Sequence, residues 1–175
     1  MREQAVRRLN TQCEVMLVLE ESSDVDEALR KIMQVICENL GWRVCAFWRV
    51  DTEDDVLRCI DIWHKPTVIM KKFIDVTGSL TFKRKVCLPG RIWESREPAW
   101  VLDVQKDKNF LRSDFAAKAE LHSACGFPII LEDQLIGLME FFADETREPE
   151  DDLLRMMMTI GKQTGRLIQR NSLGK

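Results

Sequence analysis

Glu140 is the residue of this chain best placed to do chemistry. It lies in the run Ile136-Gly137-Leu138-Met139-Glu140-Phe141-Phe142, where strand alternation sets Ile136, Leu138, Glu140 and Phe142 on one face. A carboxylate among three apolar groups is costly to bury unless a cation or donor meets it. An internal partner such as Arg91 or Arg112 neutralises it, or it sits exposed at a sheet edge, or it orients the amine or guanidine of a bound small molecule. The last option defines a candidate pocket. Its walls come from Phe47, Ile60, Ile62, Trp100, Phe110, Phe115 and Phe127, and its polar contacts are Glu140, Arg91, Asp103 and His122. A mostly apolar lining with a few aimed polar groups is the usual form of such a site. The competing reading is that five Trp and eight Phe pack the interior solid and nothing binds.

Other chemistries find little support. There is no P-loop, GxGxxG or HExxH, and no Ser-His-Asp order with an elbow motif. His122-Ser123 stands near Cys125, but Cys125 lies in an apolar strand-like run, so no catalytic residues are assigned. The six cysteines, at 13, 37, 45, 59, 87 and 125, include no CxxC and no zinc-knuckle spacing. Buried reduced thiols acting as small apolar side chains account for them; a Cys45–Cys59 redox pair across a hairpin is the alternative. His64 and His122 lack a third metal ligand. Haem would need one of them presented into the pocket, whereas His64, at a strand end before Pro66, is expected to bond a loop carbonyl.

A net charge of −3 over 175 residues gives no reason to expect nucleic acid, and Lys83-Arg84-Lys85 reads as a solvated strand edge. No apolar stretch approaches the ~20 residues that span a bilayer. The start Met-Arg-Glu-Gln lacks the apolar core of a signal peptide. A cytoplasmic location is expected.

The elements that must position these groups follow from periodicity. Residues 1–20 and 150–171 read as amphipathic helices with seven-residue apolar repeats: Val6, Leu9, Cys13 and Met16 in the first, and Leu153, Met157, Ile160, Thr164 and Leu167 in the last. Such seams either cover the sheet or pair with a second chain, and the spacing predicts pairing. Ser23 or Asp24 caps a helix over 25–40, with Glu27 placed for a capping box where Asp24 is the cap, and Gly41 ends it. Residues 42–50 and 56–64 form a hairpin across Asp51–Asp55, with Val44, Ala46 and Trp48 on one face and Cys45 and Phe47 on the other. Residues 68–76 form a short helix, Thr77-Gly78-Ser79 a turn, and 80–82 a brief strand. A helix starts at Pro89 and runs to Ser95, 98–101 is a strand, and 109–119 is a further short helix. Residues 125–131 and 135–143 form a second hairpin. Gly161 and Gly165 mark close packing of the last helix. The order implies an α+β fold with a largely antiparallel sheet, helices from both ends on one face, and the mid-chain segment on the other.

These strings, in this order, are similar to the GAF domain family over residues 25–170. The resemblance rests on Trp63-His64, Leu88-Pro89-Gly90-Arg91-Ile92-Trp93-Glu94-Ser95, and Pro98-Ala99-Trp100-Val101-Leu102-Asp103-Val104. It continues through Asn109-Phe110-Leu111-Arg112, Leu121 to Ile129, Ile136 to Phe142, Arg147-Glu148-Pro149-Glu150 and Ile160-Gly161. It is strongest toward the subgroup found beside PAS modules in bacterial sensor histidine kinases and diguanylate cyclases. It implies a profilin-like fold with a central six-stranded antiparallel sheet, a helical bundle on one face and a ligand pocket on the other. Cys87-Leu88 stands where the subgroup often has Gly-Leu. Only Phe142-Ala143-Asp144-Glu145 matches the end of the cyclic-nucleotide signature, so cGMP and cAMP are not implied. The segment 111–118 lacks the Cys-His of bilin carriers.

The resulting expectation is a non-catalytic sensory domain of a cytoplasmic signalling protein, with no certain cofactor beyond an unidentified small-molecule ligand. It divides into a dimerisation helix (1–22), a core (23–148) and a C-terminal helix (149–175) leading to an output module. It would act as a homodimer through its terminal helices; the alternative is a degenerate scaffold that dimerises or docks a partner without a ligand.

Overall fold

The computed structural model describes residues 2–173. In chain order the elements are α1 (Arg2–Glu21), α2 (Val25–Leu40), β1 (Val44–Asp51), β2 (Val56–His64), a 3-10 turn (Val68–Met70), α3 (Lys71–Ser79), β3 (Thr81–Phe82), α4 (Cys87–Ser95), β4 (Ala99–Val101), α5 (Ser113–Lys118), β5 (Ala124–Leu131), β6 (Gln134–Phe142) and α6 (Asp151–Leu173). Among the described residues the strands form one antiparallel sheet in the order β3-β2-β1-β6-β5-β4. The two long hairpins therefore supply its centre, and β6, which carries Glu140, is flanked on both sides.

Local chemistry sets the element ends. The Asp24 carboxylate accepts from the backbone N–H groups of Asp26 at 2.9 Å and Glu27 at 3.3 Å, satisfying two orphan donors of α2. Glu27 pairs with Lys31 rather than reaching back, so the capping box is half made. Gly41 closes α2 with φ 76°, a value that suits glycine. Between β5 and β6, Glu132 (φ 49°) and Asp133 (φ 66°) are both left-handed, the two-residue turn that matches strand twist.

Each long hairpin carries one extra residue. In the first, Phe47 faces Asp61 and Trp48 faces Cys59, which leaves Ile60 without a mate. In the second, Ile129 faces Gly137 and Ile130 faces Leu135, which leaves Ile136 over. These bulges shift the alternation. Ile136 thus packs with the helical face, while Leu138 and Phe142 stay on Glu140's side.

Two further boundaries differ from the expected ones. α3 continues through Thr77-Gly78-Ser79, so that stretch is helical and not a turn. Asn109–Arg112 is a set of turns and the helix begins at Ser113. Asn109 binds the Cys87 N–H at 3.2 Å and the Lys85 carbonyl at 2.8 Å. Such side-chain bonds to backbone compete with helix formation.

The sheet divides two cores. On one face lie α1, α2 and α6, burying Ile32, Ile36, Phe127, Phe141, Met157 and Ile160 among others. On the other lie α3, α4 and α5 with Trp48, Phe73, Phe82, Leu88, Phe110 and Phe142. Gly161 and Gly165 press α6 onto β5. A Cβ at either would overlap the carbonyl oxygens of Pro128 and Ile130, so the expected close packing is present.

Candidate functional site

Glu140 is completely buried on the face opposite the long helices, and the cation that meets it is Arg112. Arg112 Nη2 donates to Glu140 Oε2 at 2.7 Å and Nη1 to Oε1 at 3.1 Å, a two-pronged guanidinium–carboxylate pair. Trp48 Nε1 donates to the same Oε1 at 3.1 Å. Arg112 Nη1 also reaches Thr77 Oγ1 at 3.3 Å, and Nη2 reaches Cys87 Sγ at 3.6 Å. Five rings surround the guanidinium carbon: Phe110 at 4.7 Å, Phe82 at 5.1 Å, Phe142 at 5.4 Å, Phe73 at 5.6 Å and Trp48 at 5.7 Å from their centroids. Contacts of this kind stabilise a cation most where water is excluded. Arg112 Nε is buried without a partner among the described residues.

The electrostatics follow from this enclosure. Burial opposes the charge on Arg112, but Glu140 holds its pKa above the ordinary value. Burial is also the main force on the thiols. It pushes Cys59 up to about 12, with Glu140 adding to the rise. Cys87 is raised by burial despite Arg112. Cys45 and Cys125, on the helical face, are raised well above the usual thiol range, again chiefly by burial. Thiol chemistry needs the thiolate, and these four sites resist forming it.

The eleven sequence-derived pocket residues scatter around this centre. Glu140, Phe110 and Ile62 share its side of the sheet. Phe47, Phe127 and Trp100 do not: they pack on the helical face, because period-two alternation fixes which residues share a face but not which face that is. Ile60 is 52% exposed because the β2 bulge turns it outward. Phe115, on the short α5, is at the surface. Arg91 pairs with Asp107, and His122 stands 3.4 Å from Asp103; neither pair contacts Glu140. Arg91 is therefore not the partner of Glu140, and β6 is not an exposed edge. A surface cleft of about 400 Å³ opens between α1 and residues 145–150, floored by Trp42 and Trp100.

Trp48, Phe73, Thr77, Phe82 and Cys87 were not expected at the site. The signal for Trp48 was available, since its face of β1 carries Val44 and Ala46 and β1 pairs with β6. Cys45 and Cys59 do not face each other: Cys45 is opposite Trp63 and Cys59 opposite Trp48, on different sides of the sheet. His64 Nδ1 lies 2.9 Å from the Lys65 carbonyl, the loop carbonyl bond expected of it. Ser123 Oγ donates to the Leu102 carbonyl at 2.6 Å and is engaged structurally. No group of three or more metal-binding side chains occurs among the described residues, and no helix there is long and apolar enough to cross a membrane.

Comparison with known proteins places this arrangement in a family. The fold is shared with the GAF domain of a phosphoenolpyruvate-protein phosphotransferase (ptsP) from Coxiella burnetii, at TM-score 0.82 and 16% identity over 97% of each chain. It is shared with free methionine-R-sulfoxide reductase from Neisseria meningitidis in complex with its substrate, at TM-score 0.78 and 14% identity over 96% of this chain and 92% of that one. The A. aeolicus nlh2 GAF domain in an inactive state gives TM-score 0.75 and 15% identity over 95% and 98%. No curated protein matches. The family model described as GAF domain matches residues 22–169, and with the curled six-stranded sheet and its two cores this chain belongs to the GAF domain family.

Proposed function

We propose that this chain is a non-catalytic regulatory GAF domain of a cytoplasmic bacterial signalling protein, acting as a dimer through α1. In this reading residues 1–22 are the signalling helix, 23–148 the core, and 149–175 the helix leading toward a histidine kinase or diguanylate cyclase output. The observation that carries it is the division of α1 into two faces. Thr11, Val15 and Leu19 are buried against α2 and α6. Val6 (50% exposed), Leu9 (61%), Met16 (41%) and Leu17 (52%), with exposed Cys13, form an apolar stripe on the opposite side. α1 is held in place by Arg8, near Glu150 and Asp152 at 3.8 and 3.6 Å, and by Arg170, which donates to the Leu19 carbonyl at 3.3 Å. A stripe at seven-residue spacing on a docked helix suits a second copy of the same helix.

The α6 repeat does not contribute to this seam, because Leu153, Met157, Ile160, Thr164 and Leu167 are all buried within the subunit. The compartment beside Glu140 is filled by Arg112, which favours the scaffold form for the state described here. The non-catalytic reading draws support from the protonated thiols and from the structural engagement of Ser123. Fold likeness to a reductase at 14% identity does not bring that activity with it.

Sedimentation of the wild type and of Leu9→Glu/Met16→Glu tests the proposal. The expected result is a wild-type dimer and a folded monomeric variant that keeps a cooperative melt, lower only by the concentration-dependent contribution of pairing. A wild type that sediments as a monomer at every accessible concentration would sink the seam.

A further inference from the structure

The chemistry gathered around Arg112 is selective for one kind of cation. A carboxylate presenting two oxygens matches the planar fork of a guanidinium. Trp48 holds that carboxylate from its other side, and the rings of Phe82, Phe110 and Phe142 face the guanidinium carbon. Guanidinium is the more weakly hydrated of the two side-chain cations, so a dry aromatic cage discriminates for it and against an ammonium. We infer that the compartment beneath Glu140 is a binding site for monosubstituted guanidinium cations, held in this state by Arg112 as a tethered, displaceable occupant.

The way Arg112 is mounted supports displacement. Trp48, Phe73, Phe82 and Phe142 of the cage sit on β1, α3, β3 and β6, whereas Arg112 and the fifth ring, Phe110, sit on the turns that lead into the six-residue α5. The chain from 102 to 112 runs as successive turns, and Leu111 beside it is 64% exposed. Its Nε–H has no partner among the described residues, so the tether delivers the fork while leaving one donor unused. Exchange for a free guanidinium keeps every charge balanced. Glu140 is never left bare, the rings still face a cation, and the released Arg112 returns to water. What a ligand must overcome is the local concentration that the tether confers.

This proposal is independent of pairing through α1, and its test reads a different property. Arg112→Ala removes the ethylguanidinium fragment, so ethylguanidinium is the probe and ethylammonium the control. In Arg112→Ala, millimolar ethylguanidinium should raise the melting temperature by several degrees and ethylammonium should not; Glu140→Gln in the same background should abolish the gain. Binding to Arg112→Ala should be at least about 100-fold tighter than to wild type, since tethering is lost. In wild-type protein at high probe concentration, amide hydrogen exchange across 102–119 should quicken as Arg112 is displaced. Loss of guanidinium selectivity in Arg112→Ala overturns the site. Unaltered exchange in the wild type overturns displacement and leaves Arg112 a fixed strut. The wild-type measurement stands by itself should Arg112→Ala fail to fold.

Discussion

α1 and α6 carry apolar repeats of the same spacing, yet α6 buries its repeat on β5 while α1 turns its repeat to solvent. The period identifies a face of a helix; it does not identify what covers that face. What separates the two helices is the rest of their sequence. α6 sets Gly161 and Gly165 where the backbone meets the carbonyls of β5, and the Thr164 hydroxyl within its repeat donates to the Ile160 carbonyl at 2.7 Å. It is built for contact with a sheet at backbone distance. α1 has a second, inward face at Thr11, Val15 and Leu19, which already provides its docking and leaves the outer repeat unclaimed. A helix with one apolar stripe is a cover. One with two opposed stripes has a further surface to hide.

The largest break in this comparison comes from placing a charge on the α6 repeat. Ile160→Glu sets a carboxylate in a fully buried site and should cost about 4 kcal/mol or more, enough to abolish the cooperative thermal transition at ambient temperature. The matching change on α1, Leu9→Glu, should shift the stability of the subunit itself by no more than about 0.5 kcal/mol, apart from the concentration-dependent contribution lost with pairing. Equal losses measured by urea unfolding would show that both repeats are core and remove the distinction.

A middle-sized effect distinguishes the two regions through their cysteines. Cys45 and Cys125 lie under the long helices and Cys59 lies across the sheet, all with raised pKa values. Because the folded values are raised, the stability these thiols confer is complete below the unfolded value. It declines as pH climbs from the ordinary thiol value of 9.0 toward the folded value, about 12 for Cys59. Melting temperature should therefore fall progressively above pH 9. Cys45→Ala should flatten that fall.

Legibility in the sequence tracked how local each determinant was. Asp24, Gly41 and the two hairpins could be read because caps and turns are decided by a few neighbouring residues. The bulges at Ile60 and Ile136 could not, since an extra residue looks like any other until its partner strand is in register. That single uncertainty turned Ile60 out of the pocket and Ile136 onto the other core. Phe47, Phe127 and Trp100 were misplaced for a related reason, the identity of the buried face being a property of the whole sheet. Glu140 was recognised by its cost. Its partner was narrowed to Arg91 or Arg112, and the choice rests on Asp107, whose carboxylate engages Arg91 and leaves Arg112 for the interior.

The finest distinction concerns how two α1 stripes would meet, and it should alter stability hardly at all. Cys13 is exposed in the middle of the repeat. In a parallel, in-register pair it faces its own copy, within the ~4.4–6.8 Å Cα separation that a disulfide spans. Mild oxidation should then give a covalent dimer that Cys13→Ser prevents. An antiparallel pair would also bring Cys13 close to the partner helix, so a second variant is needed. With Val6→Cys/Cys13→Ser, parallel packing sets position 6 against position 6 and yields a crosslink. Antiparallel packing that brings the two Cys13 together sets position 6 against Glu20, about 21 Å along the helix from the other new thiol, and yields none. Crosslinking of both proteins fixes a parallel seam, crosslinking of the first alone reverses its direction, and crosslinking of neither returns the outer face of α1 to the solvent.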